Sequence, residues 1–291
     1  CEAGKGPIDL MNYFASELIE TGYLHNHARM WFAGWWIHVE RLPWQLGADF
    51  FFRHLLDADP ASNTLSWRWV AGLQTPGKTY LPRRSNIEKH VHPEILDCHR
   101  DGLELLERPE ALRPESITRD PITRASLPEE PEPGAGAVGV WVHEEDFLPE
   151  QGPLAALNPQ AVVVAGSVTA RSRPGFPSNR KAWLDKALAD AHLRASRHFG
   201  GLPELECEQS LLETLPSWAA RHQLRQVVAL SPEVGPLADL IPRLRQSLAK
   251  ADVQLVLLHR PEDLALRSFA TGGFFAFWKR CRQLPPSIPS T

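Results

Sequence analysis

The sequence predicts a multidomain chain of α and α/β class. Residues 1–117 are expected to form a helical domain, 118–135 a Pro-rich linker, and 136–291 a doubly wound, Rossmann-like parallel sheet with its helices. Three observations predict this. Residues 1–73 carry apolar side chains at helical spacing, broken by Gly22, Pro43 and Asp59-Pro60. Residues 118–135 hold four prolines and no sustained apolar period. Beyond them, short apolar runs alternate with amphipathic periods, the pattern of a parallel sheet covered by helices.

The elements follow in order. The stripe Ile8, Met11, Phe14, Leu18 and Ile19 predicts a helix over Pro7–Thr21, with Gly22 placed to end it. A second helix is expected from His25-Asn26 to the break at Pro43. A third, about Gly47–Leu56, is aromatic on one side through Phe50, Phe51 and Phe52. Pro60 biases Asp59 away from the helical region, and Ser62 or Asn63 is placed to cap a fourth helix carrying Trp67 and Trp69. Residues 74–92 read as irregular, and a last helix over Pro93–Glu107 closes the domain. Strands are expected at Ala137–Val142, Ala161–Ala165, Leu205–Cys207, Val227–Leu230 and Val253–Leu258. Helices are expected at about Asn179–Phe199, Gln209–His222 and Leu237–Ala251.

With 291 residues, 43% hydrophobic and 23% charged, the composition is that of a globular chain with room for two cores. No apolar run approaches the ~18–20 residues of a membrane span, and no charged-then-apolar leader opens the chain. A soluble cytoplasmic monomer with no membrane partner is therefore expected. The chain opens at Cys1 and its only methionines are Met11 and Met30, so further sequence upstream is expected. Cys1, Cys98, Cys207 and Cys281 stand far apart, which implies neither a disulfide framework nor a cysteine metal site. Net charge is −4: residues 1–117 hold 12 Lys/Arg against 16 Asp/Glu, and the remainder balances at 19 against 19. Nucleic acid would have to be met by a local basic patch.

Candidate chemistry concentrates between Gly22 and Trp69. The segments are Gly-Tyr-Leu-His-Asn-His-Ala-Arg-Met at 22–30, Leu-Pro-Trp-Gln-Leu-Gly at 42–47, and Leu-Leu-Asp-Ala-Asp-Pro-Ala-Ser-Asn-Thr-Leu-Ser-Trp-Arg-Trp at 55–69. Six of the ten tryptophans lie here, so composition alone gives a Trp-rich helical core. The order and separations of the three segments resemble the last third of the flavin-binding domain of the cryptochrome/DNA photolyase family. That resemblance implies FAD as cofactor. It implies that Asn63 faces the flavin N5, that Arg29 and Asp57 form an ion pair against the ring, that Asp59 lies near its pyrimidine edge, and that Asn26 lies beside flavin and lesion. Trp67 and Trp44 match the proximal and middle members of the family's tryptophan electron-transfer chain. Asn26, Met30 and Trp69 match residues lining the pocket for a pyrimidine dimer in DNA, with Arg68, Lys78, Arg83, Arg84 and Lys89 as candidate phosphate contacts.

The second half resembles the family's α/β domain in permuted order, through Val140-Trp-Val-His-Glu-Glu-Asp146 and the terminal Gly273-Phe-Phe-Ala-Phe-Trp-Lys-Arg280. His143–Asp146, Gly166-Ser167 and Ser231–Gly235 would then surround an antenna-chromophore crevice beyond the strand ends. His27 stands where the family often has Arg, Ala58 where Gly is common, and Pro60 follows Asp59. The family's Thr-Ser-x-x-Ser phosphate loop is expected upstream of Cys1. Gly134-Ala-Gly136-Ala-Val-Gly139 matches a dinucleotide expression but precedes a strand, so it reads as the end of the linker. His90, His92, Cys98 and His99 lack a second cluster at ligand spacing, and no metal is expected. The expected function is light-driven, FAD-dependent repair of pyrimidine dimers, a carbon-carbon lyase reaction. The alternatives are a cryptochrome-type blue-light receptor and a non-flavin α/β binding module.

Overall fold

Helix α1 (Asp9–Thr21) forms where the apolar stripe predicts it, burying Leu10, Met11, Phe14, Ala15 and Leu18. Ile19 faces solvent instead of joining that stripe. Gly22 ends the helix at φ 70, a left-handed conformation that side chains resist. A Cβ there would also lie 2.6 Å from Leu56 Cγ. These elements belong to a computed structural model that describes residues 1–57, 59–74, 78–112, 132–134, 136–166, 177–201, 203–206 and 210–283. It divides into two units, Cys1–Arg119 with Pro174–Trp183, and Asp120–Arg173 with Leu184–Thr291.

Helix α2 (Asn26–Gly34) runs directly into a π-helical turn at Trp35–Val39. Burial is unbroken from Trp31 to His38, across the end of α2 and the π-helical turn, so this segment is enclosed on every side. Helix α3 (Trp44–His54) starts three residues earlier than the sequence suggested, because Pro43 stands as its N-cap and Trp44 opens its first turn. Helix α4 (Pro60–Val70) is capped by Asp59, whose carboxylate accepts from the Ser62 amide; Ser62 and Asn63 are not the caps. Pro60 occupies the first turn, where its missing N–H costs nothing.

Two further expectations are corrected. Residues 84–90, read as irregular, form α5 (Arg84–His90), held by one buried side chain, Ile87. The helix foreseen over Pro93–Glu107 breaks into α6 (Pro93–Cys98) and a 3-10 turn at Leu103–Leu106. Gly102, at φ 81, separates them, and a Cβ there would meet the Pro7 carbonyl oxygen at 2.1 Å.

The core of this unit is aromatic. Trp31, Trp35, Trp36 and Trp67 are buried with Phe14, Phe32, Phe50 and Phe51. Each of the first three places its indole N–H on an acceptor at 2.9 Å: Asn86 Oδ1, Glu40 Oε1 and the Pro43 carbonyl, respectively. His38 is also buried. Its Nε2 lies 3.1 Å from the Val70 carbonyl and its Nδ1 3.1 Å from the Leu112 N–H. A carbonyl can only accept and an amide only donate, so the ring is neutral with the proton on Nε2.

The second unit is a five-stranded parallel sheet in the order β3-β2-β1-β4-β5. Its strands are β1 (Val138–Val142), β2 (Ala161–Ala165), β3 (Glu204–Glu206), β4 (Gln226–Leu230) and β5 (Gln254–Leu258). The alternating helices are α7 (Ser178–Phe199), which belongs to this unit from Leu184 onward, α8 (Leu211–Arg221) and α9 (Pro236–Ala249), followed by α10 (Pro261–Arg267) and α11 (Phe274–Cys281). The central strands are near-continuous Val, Leu and Ala because both faces are covered. Gly139 lies inside β1, where a Cβ would collide with Leu224 and Trp218 at 2.4 Å; its role is close packing of α8 on the strand. Ala135 of the Gly-rich stretch, most of residues 118–135, and Cys207 fall outside the described residues.

Two predictions follow from packing and burial. Gly47 lies in α3 under the Trp67 ring, and a Cβ there would sit 2.2 Å from it. An exposed helical Gly→Ala gains about 1 kcal/mol; here overpacking, about 1–3 kcal/mol, wins, so Gly47→Ala lowers the urea midpoint instead of raising it. Burial pushes the His38 imidazole below its ordinary value, opposed in part by its bond to Val70, and His54 shifts the same way by burial. The unfolded chain therefore takes up protons first. Stability is full above the ordinary histidine value of about 6.5 and falls as the pH drops from there toward the lowered folded values. Urea midpoints measured across that window should decline on acidification, less steeply in His38→Gln.

Candidate functional site

The residues singled out from the sequence lie at helix ends and on the α3–α4 contact. His25, not Asn26, caps α2, accepting from the His27 amide at 3.3 Å through Nδ1. Asn26 is the first residue of the helix, and its amide nitrogen lies 3.9 Å from Met30 Sδ, one turn on. The two therefore share a face. Arg29 donates through Nε to the Leu24 carbonyl at 2.7 Å and through Nη2 to both Asp57 oxygens at 3.3 and 3.2 Å. Its guanidinium also lies over the Tyr23 ring, 5.8 Å from the centroid. The side chains of Arg29 and Asp57 are 26% and 64% exposed, so this is a surface ion pair.

Asn63 donates to the Ala48 carbonyl at 2.8 Å and braces α4 against α3. Trp67, one turn further along, is buried in near-perpendicular contact with Phe51 at 5.0 Å and Trp36 at 6.3 Å. Trp44 is half-buried at the start of α3 and packs against the same core. Among the described residues, the indole beside Trp67 is that of Trp36, which sequence reasoning did not single out. Trp36 donates to the carbonyl of Pro43, the residue before Trp44. Trp69 is exposed, with its ring 5.7 Å from that of Tyr80. Tyr80, whose hydroxyl burial pushes up in pKa, shares Asn86 Oδ1 with Trp31. No motif pointed to Tyr80 or Asn86, because their link to the site is spatial.

The remaining candidates separate. His27 is stacked between Trp31 at 5.7 Å and His90 at 5.6 Å. His99 pairs with Asp9 at 2.7 Å and stacks on Tyr13. Among the described residues no group of His, Cys, Asp and Glu is arranged to hold a metal, and no helix is long and apolar enough to cross a membrane. Arg84 is matched by Glu88 and Glu107 at 2.8 and 2.9 Å, which removes its charge from any phosphate patch.

In the second unit the strand order reverses between β1 and β4, the usual place for a ligand crevice. Here His143 Nε2 donates to the Leu230 carbonyl at 2.8 Å, tying the ends of those two strands together. Arg260 grips Asp146 with two bonds of 2.6 and 2.8 Å, and that contact raises its already high pKa. The loops after β1 and β5 are thus latched to each other. Ser167 lies outside the described residues.

Residues 12–92 match the family described as the FAD binding domain of DNA photolyase. Cryptochrome DASH of Idiomarina loihiensis is 32% identical over 89 residues, 31% of this chain and 19% of that protein. Deoxyribodipyrimidine photo-lyase of Streptomyces griseus is 41% identical over 74 residues, covering 25% of this chain and 16% of the relative. Cryptochrome-1 of Arabidopsis thaliana is 35% identical over 69 residues, 24% of this chain and 10% of its own length. The chain spans a fifth or less of the length of these relatives. No solved structure matches it.

The matched stretch contains the Arg29–Asp57 pair, whose exposure sets its strength. A double-mutant cycle with Arg29→Ala and Asp57→Ala should return a coupling below about 1 kcal/mol that weakens further in salt. A buried pair would instead cost about 3–5 kcal/mol on loss of one partner.

Proposed function

We propose, from the premise that residues 12–92 belong to the FAD-binding domain family of cryptochromes and DNA photolyases, that this protein takes part in flavin-dependent, light-driven electron transfer to a pyrimidine dimer in DNA. The observation that carries the reading is the arrangement of the matched polar residues. Arg29 and Asp57 are paired in an accessible position, and Asn63 sits on the α3–α4 contact one turn before the buried Trp67.

The donor set fits an isoalloxazine ring. A guanidinium and two side-chain amides can donate to ring nitrogens and carbonyls, and the carboxylates of Asp57 and Asp59 can accept from ring N–H. FAD, when bound, supplies the light-driven one-electron chemistry that no side chain provides. Arg29, held at Nε by Leu24, would fix the ring's orientation against Asp57. Asn63 would adjust hydrogen bonding at the ring edge, since its amide both donates and accepts. Trp67 holds an oxidisable indole in a cluster sealed from water by Phe51 and Trp36, with Trp44 nearer the surface. Asn26, Met30 and the exposed Trp69 ring would line the lesion pocket, where an aromatic face stacks on a base taken out of the duplex.

The second reading is a blue-light receptor of cryptochrome type. The excess of acid over base in residues 1–117, 12 Lys/Arg against 16 Asp/Glu, favours it by disfavouring DNA. One experiment separates the readings. The purified full-length protein is titrated with FAD and its visible spectrum recorded after gel filtration, beside Asp57→Ala and Asn63→Ala. Retained flavin bands, with affinity reduced roughly tenfold or more in Asp57→Ala, support the site. Repair of a dimer-bearing oligonucleotide under blue light then supports the enzyme, and flavin without repair the receptor. A full-length protein that takes up no FAD overturns both.

A further inference from the structure

The last described helix, α11 (Phe274–Cys281), has no buried residue. Phe274, Phe275 and Trp278 are 65%, 85% and 51% exposed. Phe274 and Trp278, one turn apart, stack at 6.2 Å with an 11° interplanar angle, and Phe275 lies 5.6 Å from Phe274. At about 100° per residue, Phe274, Phe277, Trp278 and Cys281 occupy one arc, and Lys279 and Arg280 lie on the opposite one. Phe275 and Arg282 stand at the rim, where Phe275, Trp278, Lys279 and Arg282 line a shallow groove. The polar side is wholly cationic.

The charge is local. No Asp or Glu follows Asp263, while Arg267, Lys279, Arg280 and Arg282 do, in a chain whose net charge is −4. Arg267 is matched by Glu233, and Arg280 donates to the Thr271 hydroxyl at 2.6 Å. Lys279 and Arg282 therefore flank the Phe275–Trp278 groove with positive charge, and Arg280 adds to it from the opposite arc. Gly272 and Gly273 precede the helix, and a Cβ at Gly273 would meet nothing within 4 Å, so this lead-in is uncrowded.

We propose that α11 docks the protein onto an anionic lipid surface. An aromatic arc bordered by cations matches the bilayer boundary, where rings sit at headgroup depth and Lys and Arg stems extend sideways to the phosphates. Both faces of the helix are satisfied at once. Two other occupants fit less well. A second copy of the helix brings the same three cations against them, and eight residues, about 12 Å of helix, bury far less than the ~1,000 Å² of a stable interface. A nucleic acid could pair with the cations, but its bases would have to displace the Phe274–Trp278 stack to use those rings.

The test uses the full chain and does not depend on flavin, so its outcome is independent of the photochemical reading. The protein is sedimented with vesicles of phosphatidylcholine alone and of phosphatidylcholine mixed with phosphatidylserine. Partitioning onto the mixed vesicles, little onto the neutral ones, and release as salt is raised are expected. Lys279→Gln with Arg280→Gln should weaken partitioning roughly tenfold or more, and Phe275→Asp with Trp278→Asp should abolish it. All four side chains are exposed, so unchanged circular dichroism confirms that the fold survives. The proposal is overturned by failure to bind the mixed vesicles, or by binding that ignores lipid charge or persists in the aspartate variant. It is equally overturned if that variant instead abolishes a dimer seen by light scattering, or binding to an oligonucleotide.

Discussion

The helical unit depends on one close approach, that of the Trp67 ring to the backbone of α3 at Gly47. Only a residue without a side chain lets an indole lie that near, and the resulting contact sets the separation of α3 and α4. Phe51 and Trp36 then meet the same ring edge-on. Trp36, in the π-helical turn at Trp35–Val39, also lies close against Gly47. The buried turn, the Trp67 ring and the glycine between them form one packing unit.

Stability and candidate chemistry occupy different layers of this unit. The aromatic cluster is dry, and a fully buried aromatic or aliphatic side chain contributes about 1.5–3 kcal/mol. The polar residues with a proposed role sit at its margin: Asn26 in the first turn of α2, Asp59 before α4, Asp57 in the connection between α3 and α4. Their ion pair and caps contribute tenths to about 1 kcal/mol each. Such a margin can change without endangering the core. His38 is the exception, a polar ring placed inside, pushed toward the neutral form by burial and satisfied by two backbone partners.

How much of this was legible in the sequence depends on whether the determining interaction was local. The strand Ala161–Ala165 was readable to the residue, since a strand covered on both faces is a continuous apolar run. Helix α5 was not, because a single buried Ile87 leaves no period to detect. The break at Gly102 escaped for a different reason: the Pro7 carbonyl that forbids a side chain there is far away in sequence. Asp59 was recognised as a turn residue, yet its capping bond to Ser62 competed with two equally plausible caps just downstream. The three linked motifs were legible as resembling the photolyase FAD-binding domain because residue types, order and spacing are all local properties of the sequence, and residues 12–92 match that family. That Trp36 lies beside Trp67, with Trp44 further out, is a fact of side-chain direction which no spacing rule conveys.

The bond between Asn63 and Ala48 gives the α3–α4 contact a further property. Ala48 lies in the middle of α3, where its carbonyl also serves the helix ladder. The Asn63 amide is therefore its second donor, and turning that amide away orphans nothing. A side chain so placed works as a latch with a low release energy: engaged, it pins two helices together, and withdrawn, it leaves both intact with a free donor between them. Loss of that one bond therefore leaves the backbone ladders of both helices complete.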